Sequence, residues 1–290
     1  MKLFLVLVLG AAAVDAQSWW SWFSTPADST PRAAWDGLRV TFGFNPFGNN
    51  FDRLPRTKEV AEHKGWTPFG PNMCTAGTWR GFRYVKDNDP AVTLLFDKNG
   101  YIAGLQMGVR KNELPPDPPQ QVTPPWIEDT DQDMWLLTAY FIQPSDICSD
   151  GRTEAEYQEE GTGTDLYIQT GPNPTSDIMA IPLYQSDLQG TEWIEGKCFW
   201  GMGKHYWWNL RVDMDCREFY PVFIMYNGGK LNAFGWNIWT YLDSPRYEHP
   251  AAGFGMFMDP VPTCLADQSQ GLSTMHVYLT NGFPPFYNHC

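Results

Sequence analysis

The sequence has few positive charges and lacks the signature motifs of several large enzyme classes. It carries 20 Lys and Arg against 33 Asp and Glu, a formal net charge of -13. An acidic protein repels phosphate backbones, so nucleic acid is not an expected partner. The chain contains no HExxH, no Gly-x-Ser-x-Gly elbow and no P-loop or Rossmann glycine motif. These absences argue against nucleotide cofactors and against the common zincin and serine-hydrolase sites.

Long apolar runs are also absent beyond the N-terminus. No later stretch approaches the roughly 20 apolar residues that a membrane-spanning helix needs. Residues 1–16 contain Lys2, then the apolar run Leu3 to Leu9, then the small-residue site Val14-Asp15-Ala16. This order is typical of a secretory signal peptide that is removed after Ala16. We therefore expect a secreted, extracellular protein without a membrane span.

What the chain does contain is an internal repeat. A segment beginning CTAGTWRGFRY at Cys74 resembles one beginning CFWGMGKHYWW at Cys198. Three later segments match in the same order, namely residues 90–100 with 221–229, residues 123–126 with 244–247, and residues 165–171 with 276–282. Self-similarity of this kind indicates a duplicated structural unit.

Six cysteines in a secreted chain predict three disulfides. Spacing alone does not select among the possible pairings. The repeat favours a symmetric solution, because it matches Cys74 with Cys198 and places Cys148 opposite Cys264. The predicted bridges are therefore Cys74–Cys148, Cys198–Cys264 and Cys216–Cys290.

Short β-prone segments separated by glycine and proline indicate an all-β protein of two tandem related β modules, either sandwiches or barrels. The predicted divisions are a signal peptide (1–16), an irregular aromatic arm (17–65), a first module (66–175), a linker (176–190) and a second module (191–290). Hairpins are expected around Asp97–Gly100 and Asn227–Gly229, because Asn-Gly pairs suit tight turns. A short helix is expected from Thr57 to His63, with Thr57 as its N-cap.

Three further local predictions concern segments with weaker patterns. The acidic stretch from Asp150 to Gly163 is predicted to be a solvated loop. Phe254 to Met258 is predicted to be a strand. The aromatic residues of the arm, which include Trp19, Trp20 and Trp22, are predicted to pack on the first module or to form an exposed binding patch.

The two copies differ in their histidines. His205, His249 and His276 of the second copy fall opposite Gly81, Glu128 and Asp165 of the first. Three imidazoles with an open position would form a zinc or copper site. Glu248 is the candidate catalytic residue, because it could orient an imidazole or act as a base. Nearby methionines would favour copper over zinc.

The aromatic residues of the second module suggest a pocket for a small aromatic ligand, with Trp207 and Trp236 as its candidate binding residues. If the site holds copper, oxygen-dependent oxidation, as in a luciferase-type oxidase, is the natural chemistry, whereas zinc would indicate hydrolysis. Two alternatives remain open. The histidines could line a pocket without metal or have no joint role, and the protein could be a non-enzymatic acidic component of an extracellular matrix, shell or coat.

Overall fold

Two antiparallel sheets contain all the strands of the described part of the chain. The computed structural model describes residues 33–41, 51–71, 74, 77–250, 253–266, 271–281 and 288–290. The strands are β1 (Arg39–Thr41), β2 (Phe51–Arg53), β3 (Trp66–Pro68), β4 (Phe82–Lys86), β5 (Asp89–Phe96), β6 (Ile102–Arg110), β7 (Ile127–Asp129), β8 (Met134–Tyr140), β9 (Leu166–Gln169), β10 (Ile178–Ile181), β11 (Trp193–Phe199), β12 (Gly203–Trp208), β13 (Val222–Asn227), β14 (Lys230–Ile238) and β15 (Ser273–Tyr278). The helices are α1 (Lys58–His63), α2 (Pro144–Cys148) and α3 (Glu154–Glu160). The all-β prediction is confirmed, and the described strands do not close into a barrel.

The main hydrophobic core lies between the two sheets. Leu105 and Met107 of the first sheet and Phe234 and Trp236 of the second belong to one buried cluster. The Phe141 and Phe234 rings approach to 6.2 Å between centroids across this layer. Each sheet also buries residues on its outer face, where loops and short helices cover two smaller clusters. Because these strands are buried on both faces, they read as nearly continuous apolar runs and not as strict alternations.

Five strands of each sheet follow the same order, as a duplication requires: β3-β4-β5-β6-β8 in the first sheet and β11-β12-β13-β14-β15 in the second. The first sheet continues with β9-β10, and its β7 pairs with β8 outside this order, whereas the second sheet continues with β1-β2. The pairing registers also correspond. In the first sheet, Arg83 pairs across the strands with Leu95, and Leu95 pairs with Gly104. In the second sheet, His205 pairs with Met225, and Met225 pairs with Ala233. The structural equivalent of His205 is therefore Arg83 and not Gly81.

The same registers revise the position of His276. In the first sheet Gln106 pairs with Thr138 of β8, and in the second Gly235 pairs with His276 of β15. β15 thus occupies the place of β8, and Thr138 is the equivalent of His276. The match of His276 with Asp165 was wrong. The similar segments DLYIQTG and HVYLTNG belong to β9 and β15, and these two strands occupy different positions in their sheets.

Two segments outside the predicted modules complete the sheets. β1 and β2 belong to the predicted arm, yet they pair beside β15 at the end of the second sheet. β10 belongs to the predicted linker, yet it pairs with β9 at the edge of the first sheet. Within the described residues of the arm, β1 and β2 therefore extend the second sheet. The signal peptide (1–16) and Trp19, Trp20 and Trp22 lie outside the described residues.

The three disulfides form, but two of the predicted pairings were wrong. The bridges are Cys74–Cys148, Cys198–Cys290 and Cys216–Cys264. The repeat does relate two of the bridges, but through other cysteines than the residue match had paired. Cys148 follows β8, and the cysteine that follows the equivalent strand β15 is Cys290. Cys74–Cys148 and Cys198–Cys290 are thus the equivalent pair, and Cys216–Cys264 is specific to the second module.

Local capping explains where helices replaced predicted loops and strands. Thr57 caps α1 as predicted, accepting a hydrogen bond from the Val60 amide at 3.3 Å. The predicted acidic loop instead contains α3, which begins with a capping box between Thr153 and Glu156. The predicted strand at Phe254 is a 3-10 turn, Phe254–Met256, preceded by Gly253 in the left-handed conformation. Among the described helices, none is long and apolar enough to cross a membrane.

Candidate functional site

Two histidines meet on the outer face of the second sheet. They lie in neighbouring rows of cross-strand pairs, one containing His205 and the other containing His276. His205 on β12 and His276 on β15 are separated by β13 and β14. Their rings nevertheless lie edge to face with centroids 5.9 Å apart. His205 is 1% exposed and His276 is 6% exposed. Both imidazoles are therefore held in an apolar layer instead of in solvent.

Gly235 on β14, between the strands that carry His205 and His276, leaves space for an aromatic ring. Gly235 lies beside Phe223 and His276 in the sheet. A Cβ atom at position 235 would come within 2.2 Å of Phe223 Cζ, so the Phe223 ring occupies the space above this glycine. The same ring contacts His276 at 5.0 Å and His205 at 5.7 Å between centroids.

Replacing Gly235 with alanine is expected to lower the free energy of unfolding by about 1–3 kcal/mol, because the new methyl group would lie 2.2 Å from Phe223 Cζ and 2.4 Å from the Met275 carbonyl oxygen, so both the ring and the β15 backbone must shift. Gly255→Ala is the matched control, since its Cβ would meet only Val261 at 3.8 Å. Urea denaturation of both variants measures the difference. Equal stability of Gly235→Ala and wild type would contradict this packing.

Glu248 forms a hydrogen bond with Nδ1 of the His276 imidazole. The carboxylate Oε1 lies 3.0 Å from His276 Nδ1, and Glu248 is 2% exposed. A carboxylate in this position favours a proton on Nδ1 and leaves Nε2 as the lone-pair atom. The predicted role of Glu248 in orienting an imidazole thus corresponds to His276 and not to its neighbour His249.

His249 lies outside the cluster. It is exposed, its Nε2 lies 3.1 Å from the Leu242 carbonyl, and its ring stacks on Tyr241 at 4.1 Å. The cause is strand alternation. Glu248 forms a β-bridge with Thr274, and successive side chains of an extended segment point to opposite sides. With Glu248 turned inward, His249 must face outward, so the structure joins only two of the three predicted ligands.

A cavity with about 20 Å³ of free space lies beside the two imidazoles. This volume accommodates about one water-sized occupant. Its walls include His205, His276, Glu248, Asn237, Met202, Met258, Trp207, Phe223 and Phe257. The predicted ligand residue Trp207 thus reaches the cavity, whereas Trp236 faces the core between the sheets.

Two buried polar atoms at this cavity make no hydrogen bond to any residue that the structure describes. They are Nδ1 of His205 and Nδ2 of Asn237. Leaving such groups without a partner costs about 1–3 kcal/mol each. An occupant with a donor or acceptor atom in this cavity would offset that cost.

Burial, with a smaller contribution from the nearby His276, lowers the pKa of His205 to about 3, even though backbone groups at Lys197 and Gly203 act in the opposite direction. A neutral imidazole results at physiological pH. Neutral imidazole retains a lone pair, and it can accept a hydrogen bond or bind a metal.

The equivalent place on the first sheet is filled by the protein itself. Arg83 packs its guanidinium 4.0 Å from the Trp79 ring centroid and 5.1 Å from that of Phe69. Its Nη1 lies 2.6 Å from Asp129 Oδ2, with both side chains fully buried. The first module therefore has a closed, internally paired site where the second has imidazoles beside a cavity.

Metal-binding clusters of the usual kind are not seen in the described part of the chain. It contains no group of three or more His, Cys, Asp or Glu residues arranged to hold a metal ion. Any metal at the cavity would therefore rely on His205 and His276 with a ligand of another type. Of the four methionines near the histidine segments, Met202 and Met258 line the cavity, whereas Met256 is exposed and Met275 lies in the core.

Sequence reasoning missed several residues that shape this site. Phe223, Gly235 and Phe257 determine the space around the imidazoles, but no short motif distinguishes them from ordinary core residues. Asn237 was also missed. A polar residue inside the apolar strand of residues 231–239 is the one signal that pointed to it. Comparison with known proteins adds no assignment, since no protein-family model, curated protein or solved structure matches the chain.

Proposed function

We propose that this protein is a secreted, disulfide-bonded protein that binds a copper ion in its second module, between His205 and His276. The observation that carries the proposal is the buried edge-to-face pair of imidazoles, one of them backed by Glu248. A carboxylate behind a ligating histidine is a common arrangement in metal sites, where it fixes the tautomer and raises the basicity of the ligand.

The size of the cavity favours an ion over an organic ligand. With about 20 Å³ of room, the cavity admits a single ion or water molecule but not an aromatic molecule. The two thioethers in its wall, from Met202 and Met258, favour copper, because soft sulfur ligands select Cu(I). Zinc usually takes three or four N, O or S(thiolate) ligands from the protein, and this donor set is poorer in them.

Bound copper would supply one-electron and oxygen chemistry. In an oxidase of this kind, Glu248 would hold His276 in place, while the rings of Trp207, Phe223 and Phe257 would exclude water. The alternative is an acidic, non-enzymatic extracellular component, which the charge of -13 favours. That alternative requires no metal, so a metal measurement separates the two.

Tag-free protein is expected to retain a single copper ion per chain after dialysis, measured by mass spectrometry of the metal. His205→Phe and His276→Phe should each lower this occupancy below about one tenth, since loss of an imidazole removes half of the nitrogen ligands. His249→Ala is the matched control and should bind copper as wild type does. Copper-free wild-type protein after incubation with Cu(I), or full occupancy in His205→Phe, would refute the proposal.

A further inference from the structure

Residues 288–290 are bound tightly to two turns of the second sheet. Asn288 is 2% exposed, and its carbonyl accepts a hydrogen bond from the Gly201 amide at 2.9 Å. Its side chain accepts from Asn232 Nδ2 at 2.9 Å and donates to the Gly201 carbonyl at 3.3 Å. The chain end is therefore attached directly to the turn between β11 and β12.

The last two residues add contacts to the neighbouring turn. Asn227 Oδ1 accepts hydrogen bonds from the His289 amide at 2.8 Å and from the Cys290 amide at 3.0 Å. Cys290 is also joined to Cys198 by a disulfide that spans 92 residues of sequence. Cys198 is solvent-exposed, so this bridge is accessible to a thiol reagent.

This arrangement bears on the histidine cavity through Met202. Met202 follows Gly201 in the β11–β12 turn, and its side chain forms part of the cavity wall. Asn232, which bonds Asn288, lies on β14 next to Ala233, a residue of the same outer-face cluster as Met202. Displacing residues 288–290 would remove both hydrogen bonds between Asn288 and Gly201. Among the described residues, the turn carrying Met202 would then keep only its local hydrogen bond from the Met202 amide to the Phe199 carbonyl, at 3.0 Å, and the pairing of the flanking strands.

We propose that residues 288–290 are a latch, attached through the Cys198–Cys290 disulfide, that keeps the β11–β12 turn and Met202 closed over the histidine cavity. The disulfide matters because it keeps the chain end at high effective concentration beside its hydrogen-bonding sites. Release of the latch raises the population of a locally opened state in which His205 and His276 are accessible. This device does not depend on which ligand the cavity holds.

Reduction is the chemical step that releases the latch. A thiolate of a small dithiol attacks one sulfur of the Cys198–Cys290 bridge and forms a mixed disulfide, releasing the other cysteine as a thiolate. The second thiolate of the dithiol then attacks the dithiol's own sulfur in the mixed disulfide and releases the remaining cysteine. The dithiol becomes a cyclic disulfide, and the protein gains two thiols. Two electrons and two protons pass from the dithiol to the bridge.

Histidine labelling with diethylpyrocarbonate, which acylates neutral imidazole, tests the latch in the full chain. His63 and His249 are exposed, lie outside the latch and serve as internal references; His289 is exposed within the latch, and His205 and His276 are buried. In oxidised wild type we expect labelling of the three exposed histidines only. In Cys198→Ser/Cys290→Ser, the rates at His205 and His276 should rise at least about tenfold, because residues 288–290 are no longer held at high effective concentration beside their hydrogen-bonding sites.

Cys74→Ser/Cys148→Ser is the matched control, because it removes the equivalent bridge of the other sheet. Its labelling at His205 and His276 should match wild type. Equal increases in the two double variants, or no increase in Cys198→Ser/Cys290→Ser with a native near-ultraviolet circular dichroism spectrum, would overturn the latch. If that variant does not fold, Asn288→Ala decides with the bridge intact. A severalfold increase at His205 and His276 relative to His63 and His249 supports the latch, and an unchanged rate rejects it.

Discussion

Arg83→Met is expected to lower the free energy of unfolding by about 3–5 kcal/mol, because it leaves the Asp129 carboxylate buried without its counter-charge. The Arg83–Asp129 pair is fully buried, with 2.6 Å between Nη1 and Oδ2. Its guanidinium also packs on Trp79 and Phe69, so methionine retains part of the apolar contact while removing the charge. Urea denaturation of the single variant measures the loss.

The double variant Arg83→Met/Asp129→Asn separates charge from packing. Asp129 Oδ1 also accepts hydrogen bonds from the Asp131 and Gln132 amides, both at 3.2 Å, and asparagine keeps an oxygen that can accept them. The double variant should therefore be more stable than Arg83→Met by roughly 2 kcal/mol, since no buried charge remains unpaired. If the second substitution brings no recovery, the charge is not the cause of the loss.

Alkaline pH is expected to unfold the protein steeply above about pH 10. Burial raises the pKa of four deeply buried tyrosines, Tyr140, Tyr226, Tyr247 and Tyr278. These groups stay neutral in the folded state, but in the unfolded state they lose their protons near pH 10. The unfolded state then binds fewer protons, so stability is complete below pH 10 and falls as pH rises toward the folded pKa values.

The size of this effect approaches the whole stability of a domain. Each tyrosine contributes about 1.4 kcal/mol per pH unit in that window, so four contribute roughly 5 kcal/mol per unit. Typical stabilities are about 5–15 kcal/mol. All six cysteines are in disulfides, so thiol ionisation does not contribute. Tyrosinate absorbance should rise cooperatively with the loss of tertiary circular dichroism.

Tyr247→Phe is the sharpest control for the alkaline transition. The Tyr247 hydroxyl makes no hydrogen bond to any described residue, so its removal should leave neutral-pH stability within about 1 kcal/mol of wild type. The variant should lose less stability above pH 10. Tyr140→Phe, in contrast, removes hydrogen bonds with the Arg80 amide and Gln169 and should also destabilise at neutral pH. Independent titration of all 13 tyrosines near pH 10 would contradict the account.

Much of the fold was predictable because its signals are local. The turns at Asp97–Gly100 and Asn227–Gly229 place both central hairpins, β5–β6 and β13–β14, where the sequence analysis expected them. The capping box of α3 was equally local but was outweighed by the acidic composition of its segment. β2 and β10 were missed as parts of the sheets because each is only three or four residues long.

The candidate site was only partly predictable, and His249 shows why. Its position beside Glu248 suggested a shared role, but a single β-bridge between Glu248 and Thr274 decides which of the two side chains faces inward. The first-sheet equivalent of His205, Arg83, was also beyond the reach of residue matching. Residue matching placed Gly81 opposite His205, and only the strand registers revealed that a buried guanidinium occupies that place in the first sheet.

Composition, local turn chemistry and the repeated segments determined by themselves that this is an all-β protein of two related sheets with three disulfides. Only the tertiary structure decided that Cys290 pairs with Cys198, that the N-terminal strands complete the second sheet, and that His205 and His276 meet without His249. The reason is physical. Turns and caps depend on neighbouring residues, whereas register, facing and cysteine partners depend on contacts between strands far apart in sequence.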